Sequence, residues 1–215
     1  IIRVIKPKSG YVLLSQRNLP LEPISYKYGF DRGLPVDRYY IEEYMNQSAE
    51  LIKGKVLEIH DSAYTIRFGG SSVKQADALD MDIRNKEANI YGNLKNLSNI
   101  ADDTYDTLII THTLNMIDDY ESAIKECHRI LKPGGWIIVT LPSVIGPVFH
   151  LKDSYWRFTV ASAKYVFSKY FDPLNIEVKS YGNVLAGQAF WVGLASQELT
   201  KEEKMRDAAF DQASY

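Results

Sequence analysis

A chain of 215 residues, 46% apolar and 24% charged, is long enough to bury a core without disulfides or metals and too apolar to be disordered throughout. Its 25 Lys and Arg against 27 Asp and Glu leave a net charge of −2, which argues against a general nucleic-acid binder. The single cysteine, Cys127, excludes an internal disulfide framework and a multi-cysteine zinc site, and it is compatible with a reducing compartment. No apolar run reaches the roughly 18–20 residues that span a bilayer; the longest candidate, Trp136 to Phe149, is broken by Pro142 and Pro147. The opening Ile1-Ile2-Arg3-Val4 carries neither an initiator Met nor a signal-peptide pattern, as expected of a fragment or a processed chain. These features lead to the expectation of a cytoplasmic protein without a membrane span.

Residues 1–36 are punctuated by Pro7, Gly10, Pro20, Pro23, Gly29, Gly33 and Pro35, so no long element fits. Tyr11-Val12-Leu13-Leu14 reads as a short strand, and the whole stretch as an arm lying on the domain. From 37 to 142 helix and strand patterns alternate. Asp37 is a candidate cap for a helix beginning at Arg38, in which Ile41, Tyr44, Met45, Ser48, Leu51 and Ile52 recur at helical spacing until Gly54. Short strands are expected at 55–59, 72–76, 88–91 and 107–110. Asp118 with Glu121 matches a capping box, and the following helix places Ala123, Ile124, Cys127, Ile130 and Leu131 on one face. Lys132-Pro133-Gly134-Gly135 ends it, and Trp136 to Leu141 is a continuous apolar strand. A helix is expected near 159–170, a strand near 176–180 and an apolar stretch over 184–195. The remainder, 200–215, reads as a charged helical tail. Apolar strands alternating with helices predict an α/β fold, a parallel sheet covered on both faces.

Three segments carry a resemblance: Val56-Leu57-Glu58-Ile59, then Tyr105-Asp106-Thr107-Leu108-Ile109-Ile110, then Leu131-Lys132-Pro133-Gly134-Gly135-Trp136 running into its strand. In this order they resemble class I S-adenosylmethionine-dependent methyltransferases, over about residues 37–142. The resemblance implies a Rossmann-like fold with a mainly parallel sheet, whose last, antiparallel strand has no counterpart in the sequence pattern. It makes S-adenosylmethionine the expected cofactor. Two more segments, 29–40 and 155–159, resemble a narrower group found in bacterial surface-polysaccharide gene neighbourhoods and sometimes fused to glycosyltransferases. One departure stands out. The family's first loop usually reads Glu-x-Gly-x-Gly-x-Gly, whose glycines let the backbone approach the cofactor. Here it reads Glu58-Ile59-His60-Asp61-Ser62-Ala63-Tyr64. Such a loop either takes a different path to the cofactor or does not bind it.

The resemblance implies a set of site residues. Glu58 ends the first strand and orients the loop, and His60, Asp61 and Tyr64 replace or flank its glycines. Asp77 is placed at the end of the second strand, where a carboxylate accepts the ribose hydroxyls of a nucleoside; Asp80 and Asp82 compete for that role. Asn93 and Leu94 follow the third strand, beside the adenine. Thr111, His112 and Thr113 follow the fourth, and His112 is the candidate base. Arg38 and Tyr39 begin the first helix beside the cofactor. His150, Tyr155, Trp156 and Arg157 are the candidate acceptor pocket, since aromatic faces stack on sugars and arginine suits phosphate. Two adjacent loop residues, His60 and Asp61, are a poor ligand set, so no metal is expected. Each residue also has a bland reading: turn, strand end or core filler. The expected reaction is methyl transfer to an oxygen of a sugar or glycan intermediate. The alternative is a non-catalytic methyltransferase-like domain working beside a glycosyltransferase.

Overall fold

The computed structural model describes residues 22–144 and 153–205. The proposed strand at 11–14, the candidate His150 and most of the charged tail lie outside them. Five parallel strands form one sheet: β1 (Gly54–Ile59), β2 (Val73–Asp80), β3 (Ile90–Tyr91), β4 (Tyr105–Thr111) and β5 (Leu131–Thr140). Their order is β3-β2-β1-β4-β5. The chain winds outward from β1 on one side and then returns to start again at β4, so the order reverses between β1 and β4. In an open parallel sheet ligands sit outside the carboxyl ends of the strands at that reversal.

Alternation along the strands divides the core. Val56, Ile109 and Ile138 point to one face and pack with Ile41 and Met45 of helix α1 (Val36–Gln47). Leu57, Leu79, Leu108 and Ile110 point to the other, where Ala123, Ile124, Cys127 and Ile130 of α2 (Tyr120–Ile130) meet them. Val166 and Phe167 of α3 (Val160–Phe167) extend this second layer. A third cluster joins Val36 to Ala186, Ala189 and Phe190 of α4 (Val184–Val192), and to Leu199. A short helix α5 (Lys201–Met205) follows. No helix among the described residues is long and apolar enough to cross a membrane.

Several expectations need correction. Asp37 lies inside the first turn of α1, not before it; Pro35 precedes the helix and supplies no side-chain cap. Asp119, not Asp118, caps α2, accepting the Ser122 N–H at 3.1 Å, while Asp118 pairs with Lys95. No strand forms at 176–180, which has no regular structure. The connection from β1 to β2, too short for a full helix as its length implies, holds short helical turns over 65–72. β2 runs on to Asp80, four residues past the strand expected from the pattern.

Residues 22–35 lie against the end of α4. Ile24 and Ser25 donate backbone N–H groups to the Val192 carbonyl. Arg32 pairs with Glu198, and Pro35 bridges to Ala195. Gly193 closes α4 at φ +77°, and a Cβ there would stand 2.4 Å from the Ser25 carbonyl oxygen. Only glycine permits both that conformation and that approach.

Candidate functional site

Glu58 is the last buried residue of β1, 2% exposed. Its carboxylate faces back into the loop that follows: one oxygen accepts the Tyr64 N–H at 3.2 Å, the other the Thr65 N–H at 2.7 Å and the Thr65 hydroxyl at 2.8 Å. Burial raises the Glu58 pKa, with the Thr65 and Tyr64 hydrogen bonds acting the other way. These bonds tie the end of β1 to the loop that follows it.

The loop without glycines keeps a glycine-like turn. His60, where the family's first loop glycine would stand, has φ +77°. That left-handed conformation strains a residue carrying a Cβ by about 1–3 kcal/mol and concentrates at functional sites. The strain is offset by contacts on both sides. The His60 N–H donates to the Leu79 carbonyl at 2.8 Å. The Asn85 amide donates to the His60 carbonyl at 2.7 Å, and His60 Nδ1 lies 2.9 Å from Asp80 Oδ2. Farther along, Asp61 accepts the Ala63 N–H at 2.8 Å. The Tyr64 hydroxyl accepts from Arg38 Nη1 at 3.2 Å, so the first turn of α1 rests on the loop.

Asp80 occupies the strand-end position expected of Asp77. Its carboxylate also accepts the Asp82 N–H at 2.8 Å and the Asn85 amide at 2.7 Å. Burial opposes ionisation, but these donors and His60 outweigh it and lower the pKa. Met81 beside it is 70% exposed. Asp77 stands three residues earlier, opposite Leu57 in the register. Its oxygens take hydrogen bonds from Gln75, Asn89 and Tyr105, and Lys55 Nζ lies 3.7 Å away. Lys55 and Tyr105 lie at the starts of β1 and β4, so Asp77 belongs to an interior network turned toward the amino end of the sheet. A ribose role for it is corrected on that ground.

Two further candidates fall to their bland readings. Leu94 is a core residue, 4% exposed, packed among the α2 layer. Asn93 is a turn residue whose side-chain oxygen accepts the Lys95 N–H at 3.0 Å. Tyr39 packs edge-on against Tyr40, with Lys204 Nζ 4.5 Å from its ring centre; Arg38, not Tyr39, reaches the loop.

Beyond β4, His112 has φ +44°. Its N–H donates to the Thr140 carbonyl at 3.0 Å, and Thr113 Oγ1 donates to the Thr111 carbonyl at 2.9 Å. The backbone at the end of β4 is thereby tied to β5. His112 Nδ1 lies 3.4 Å from Asp37 Oδ2, each side chain 17% exposed. The other Asp37 oxygen accepts the Arg38 N–H at 2.9 Å. Tyr28, also at positive φ (+59°), feels both Asp37 and Arg157: burial raises its pKa most, Arg157 lowers it and Asp37 raises it. Asp37 and Tyr28 are site neighbours that pattern reading missed. A cap motif was the visible signal at Asp37, and the fold turned that carboxylate to His112.

Within 153–158, Trp156 is an anchor. Its ring meets Tyr120 edge-on at 5.2 Å and its indole N–H donates to the Ile117 carbonyl at 2.8 Å. Tyr155 and Trp156 both donate backbone N–H groups to the Asn115 carbonyl. The Tyr155 hydroxyl reaches Asp153 at 3.2 Å, and Arg157 holds Ser154 and the Trp156 carbonyl. Among the described residues no group of three or more His, Cys, Asp or Glu side chains could hold a metal. Two open depressions of about 390 and 440 Å³ lie elsewhere, one at the amino end of the sheet around Lys53, Lys74 and Lys132, the other around Lys55, Asn89 and Tyr91. Neither contains any of these candidate residues.

A parallel sheet reversing between β1 and β4, with an acidic residue near the end of β1 and another ending β2, is the arrangement of class I S-adenosylmethionine-dependent methyltransferases. Residues 45–139 match the methyltransferase domain family. Over those residues the chain is similar to that family, whose members would take S-adenosylmethionine as cofactor. Its curated relatives include demethylmenaquinone methyltransferases of Listeria welshimeri, 26% identical over 76% of this chain and 62% of that one, and of Alkalihalophilus pseudofirmus, 30% identical over 55% of this chain and 48% of that one. The chain thus spans about half to three-fifths of these relatives' length. A solved methyltransferase of Archaeoglobus fulgidus shares the fold at TM-score 0.54 and 13% identity, covering 75% of this chain and 81% of that one. The residues present fit the cofactor: His60 supplies the left-handed turn that a glycine would, and a strand-end carboxylate stands beside an exposed apolar side chain at Asp80 and Met81.

Proposed function

We propose that this chain transfers a methyl group from S-adenosylmethionine to a hydroxyl oxygen of a sugar or glycan intermediate. When bound, the cofactor supplies an electrophilic methyl group on a sulfonium. The chain's own residues then have three tasks. The 60–64 loop, held in shape by Glu58, would carry the amino-acid end of the cofactor, and Asp80 the ribose. His112 would accept the proton of the acceptor hydroxyl. Arg157 and Tyr155 would meet the acceptor, with Trp156 fixing their loop. Proximity and alignment supply most of the acceleration expected of such a site. The observation that carries the reading is His60 at φ +77°: the loop keeps a glycine-like turn at the position where the family's first glycine would stand, and such strain clusters at functional sites. This weighs against the non-catalytic alternative.

The glycan class rests on the resemblance of 29–40 and 155–159, and a glycosyltransferase partner goes with it. The curated relatives named for demethylmenaquinone favour a second reading, methylation of a demethylmenaquinone. The test has two stages. Calorimetry with S-adenosylmethionine should show micromolar binding; no heat from the folded chain would overturn the proposal. Labelled methyl transfer to nucleotide-sugar and glycan acceptors should then exceed transfer to a demethylmenaquinone. The reverse order would establish the second reading.

A further inference from the structure

We propose that Asp37 is a positioning residue for His112, fixing the ring proton on Nδ1 and leaving Nε2 as the acceptor that takes the substrate's proton. The inference deepens the methyl-transfer reading and rests on it for the identity of the substrate. Asp37 divides its oxygens between two tasks. Oδ1 is fixed on the Arg38 N–H, and Oδ2 faces His112 Nδ1 at 3.4 Å. A carboxylate favours a proton on the imidazole nitrogen that faces it, and that choice sets what the other nitrogen can do. The remaining nitrogen, Nε2, then carries a free lone pair.

Both residues are held from elsewhere in the fold. His112 sits at φ +44° with its N–H on the Thr140 carbonyl. Asp37 follows Pro35, which bridges to Ala195, and Val36, which is 2% exposed in the cluster with Ala189 and Phe190. A merely structural tie between α1 and β4 would not need a strained backbone at the histidine, and such strain persists only where the surroundings impose it. Neither side chain is sealed from solvent, so the ring remains accessible to a substrate at the strand ends. The proton balance is simple. The O–H bond of the acceptor breaks, an N–H bond forms at Nε2, and the resulting imidazolium faces the Asp37 carboxylate through Nδ1–H. The proton leaves later to solvent.

The test reads the tautomer and needs neither cofactor nor acceptor. Long-range proton–nitrogen spectra of the uniformly ¹⁵N-labelled full chain, taken where imidazoles are neutral, distinguish the two ring nitrogens. His112→Gln identifies the His112 signals among the four histidines. The expected result is Nδ1–H in the wild type, retention in Asp37→Asn, which keeps an acceptor oxygen, and reversal to mainly Nε2–H in Asp37→Ala. An Nε2–H ring in the wild type, or no change in a folded Asp37→Ala, would overturn the proposal. If Asp37→Ala fails to fold, the wild-type tautomer and Asp37→Asn decide. Failure of the methyl-transfer reading is separate: an Nδ1–H ring in a chain that binds no S-adenosylmethionine removes that reading and with it the substrate, whereas an Nε2–H ring in a chain that does bind removes the positioning role alone.

Discussion

His60 Nδ1 lies 2.9 Å from Asp80 Oδ2, so the loop after β1 is buttoned to the end of β2 by a side chain where the family usually has none. The contact joins a strained backbone to the strand-end carboxylate. It also separates Asp80 from Asp77, which lies three residues upstream in an interior network.

The two aspartates should therefore fail differently. Asp80→Ala is expected to weaken S-adenosylmethionine binding at least about tenfold, roughly 1.4 kcal/mol, with a smaller effect on folding. Asp77→Ala is expected to destabilise the chain by roughly 1–3 kcal/mol, because the partners Tyr105, Asn89 and Lys55 are left without their acceptor. Calorimetry and urea unfolding on both variants check this. Loss of binding in a stable Asp77→Ala with none in Asp80→Ala would restore the original assignment.

Substitution at residue 60 should follow backbone cost more than side-chain chemistry. His60→Val places a β-branched residue at φ +77° and is expected to lower stability by about 1–2 kcal/mol relative to His60→Gly, for which this conformation carries no steric penalty. Thermal unfolding of the pair decides, and equal midpoints would show that the loop relaxes without its histidine.

Cys127 is 1% exposed among Ala123, Ile124 and Ile130, and burial pushes its thiol pKa up to about 12. The thiolate is the reactive form. The native chain should not release colour from a disulfide reagent at neutral pH, while the denatured chain should react at one equivalent per chain. Rapid native reaction would place Cys127 outside the core.

Glu198 ties residues 22–35 to the segment after α4. The Arg32 hydrogen bond first, then the Ala195 N–H, lower its pKa from 4.5 to about 2. A carboxylate depressed in the folded state contributes its full stabilisation above the unfolded value and loses it as pH falls through the folded one. Hydrogen exchange over 22–35 should thus remain slow at neutral pH and quicken, relative to the intrinsic rate, between about pH 4.5 and about 2. Arg32→Gln should show the faster exchange already at neutral pH. No difference between the variant and the wild type there would mean that the backbone contacts to Val192 alone hold the segment.

The sheet was readable where strands were purely apolar. β1, β4 and the end of β5 follow from runs such as Thr107-Leu108-Ile109-Ile110. β2 was cut short because Asp77 and Asp80 interrupt its hydrophobic signal, and the wrong ribose candidate followed directly from that error. The segment 176–180 has strand-like residues, Ile176 and Val178, but within the described residues it makes no ladder contact, and pattern alone cannot supply a neighbour. Of the candidate site, the positions of Glu58 and His112 near the carboxyl ends of β1 and β4 were legible because those strands are apolar runs. The partnership of Asp37 with His112 was not. The two are brought together by long-range packing of α1, whose start is fixed by Ala195 and Phe190.

The bond between Arg32 and Glu198 spans 166 residues of sequence. A newly made chain emerges from its amino terminus, so the sheet and α2 can form before the segment that holds the start of α1 has been synthesised. Closing so long a loop is a late, entropically costly event. Pro35 and Val36, the residues just before Asp37, therefore gain their contacts with Ala195 and Phe190 only after the sheet that carries His112 has been made.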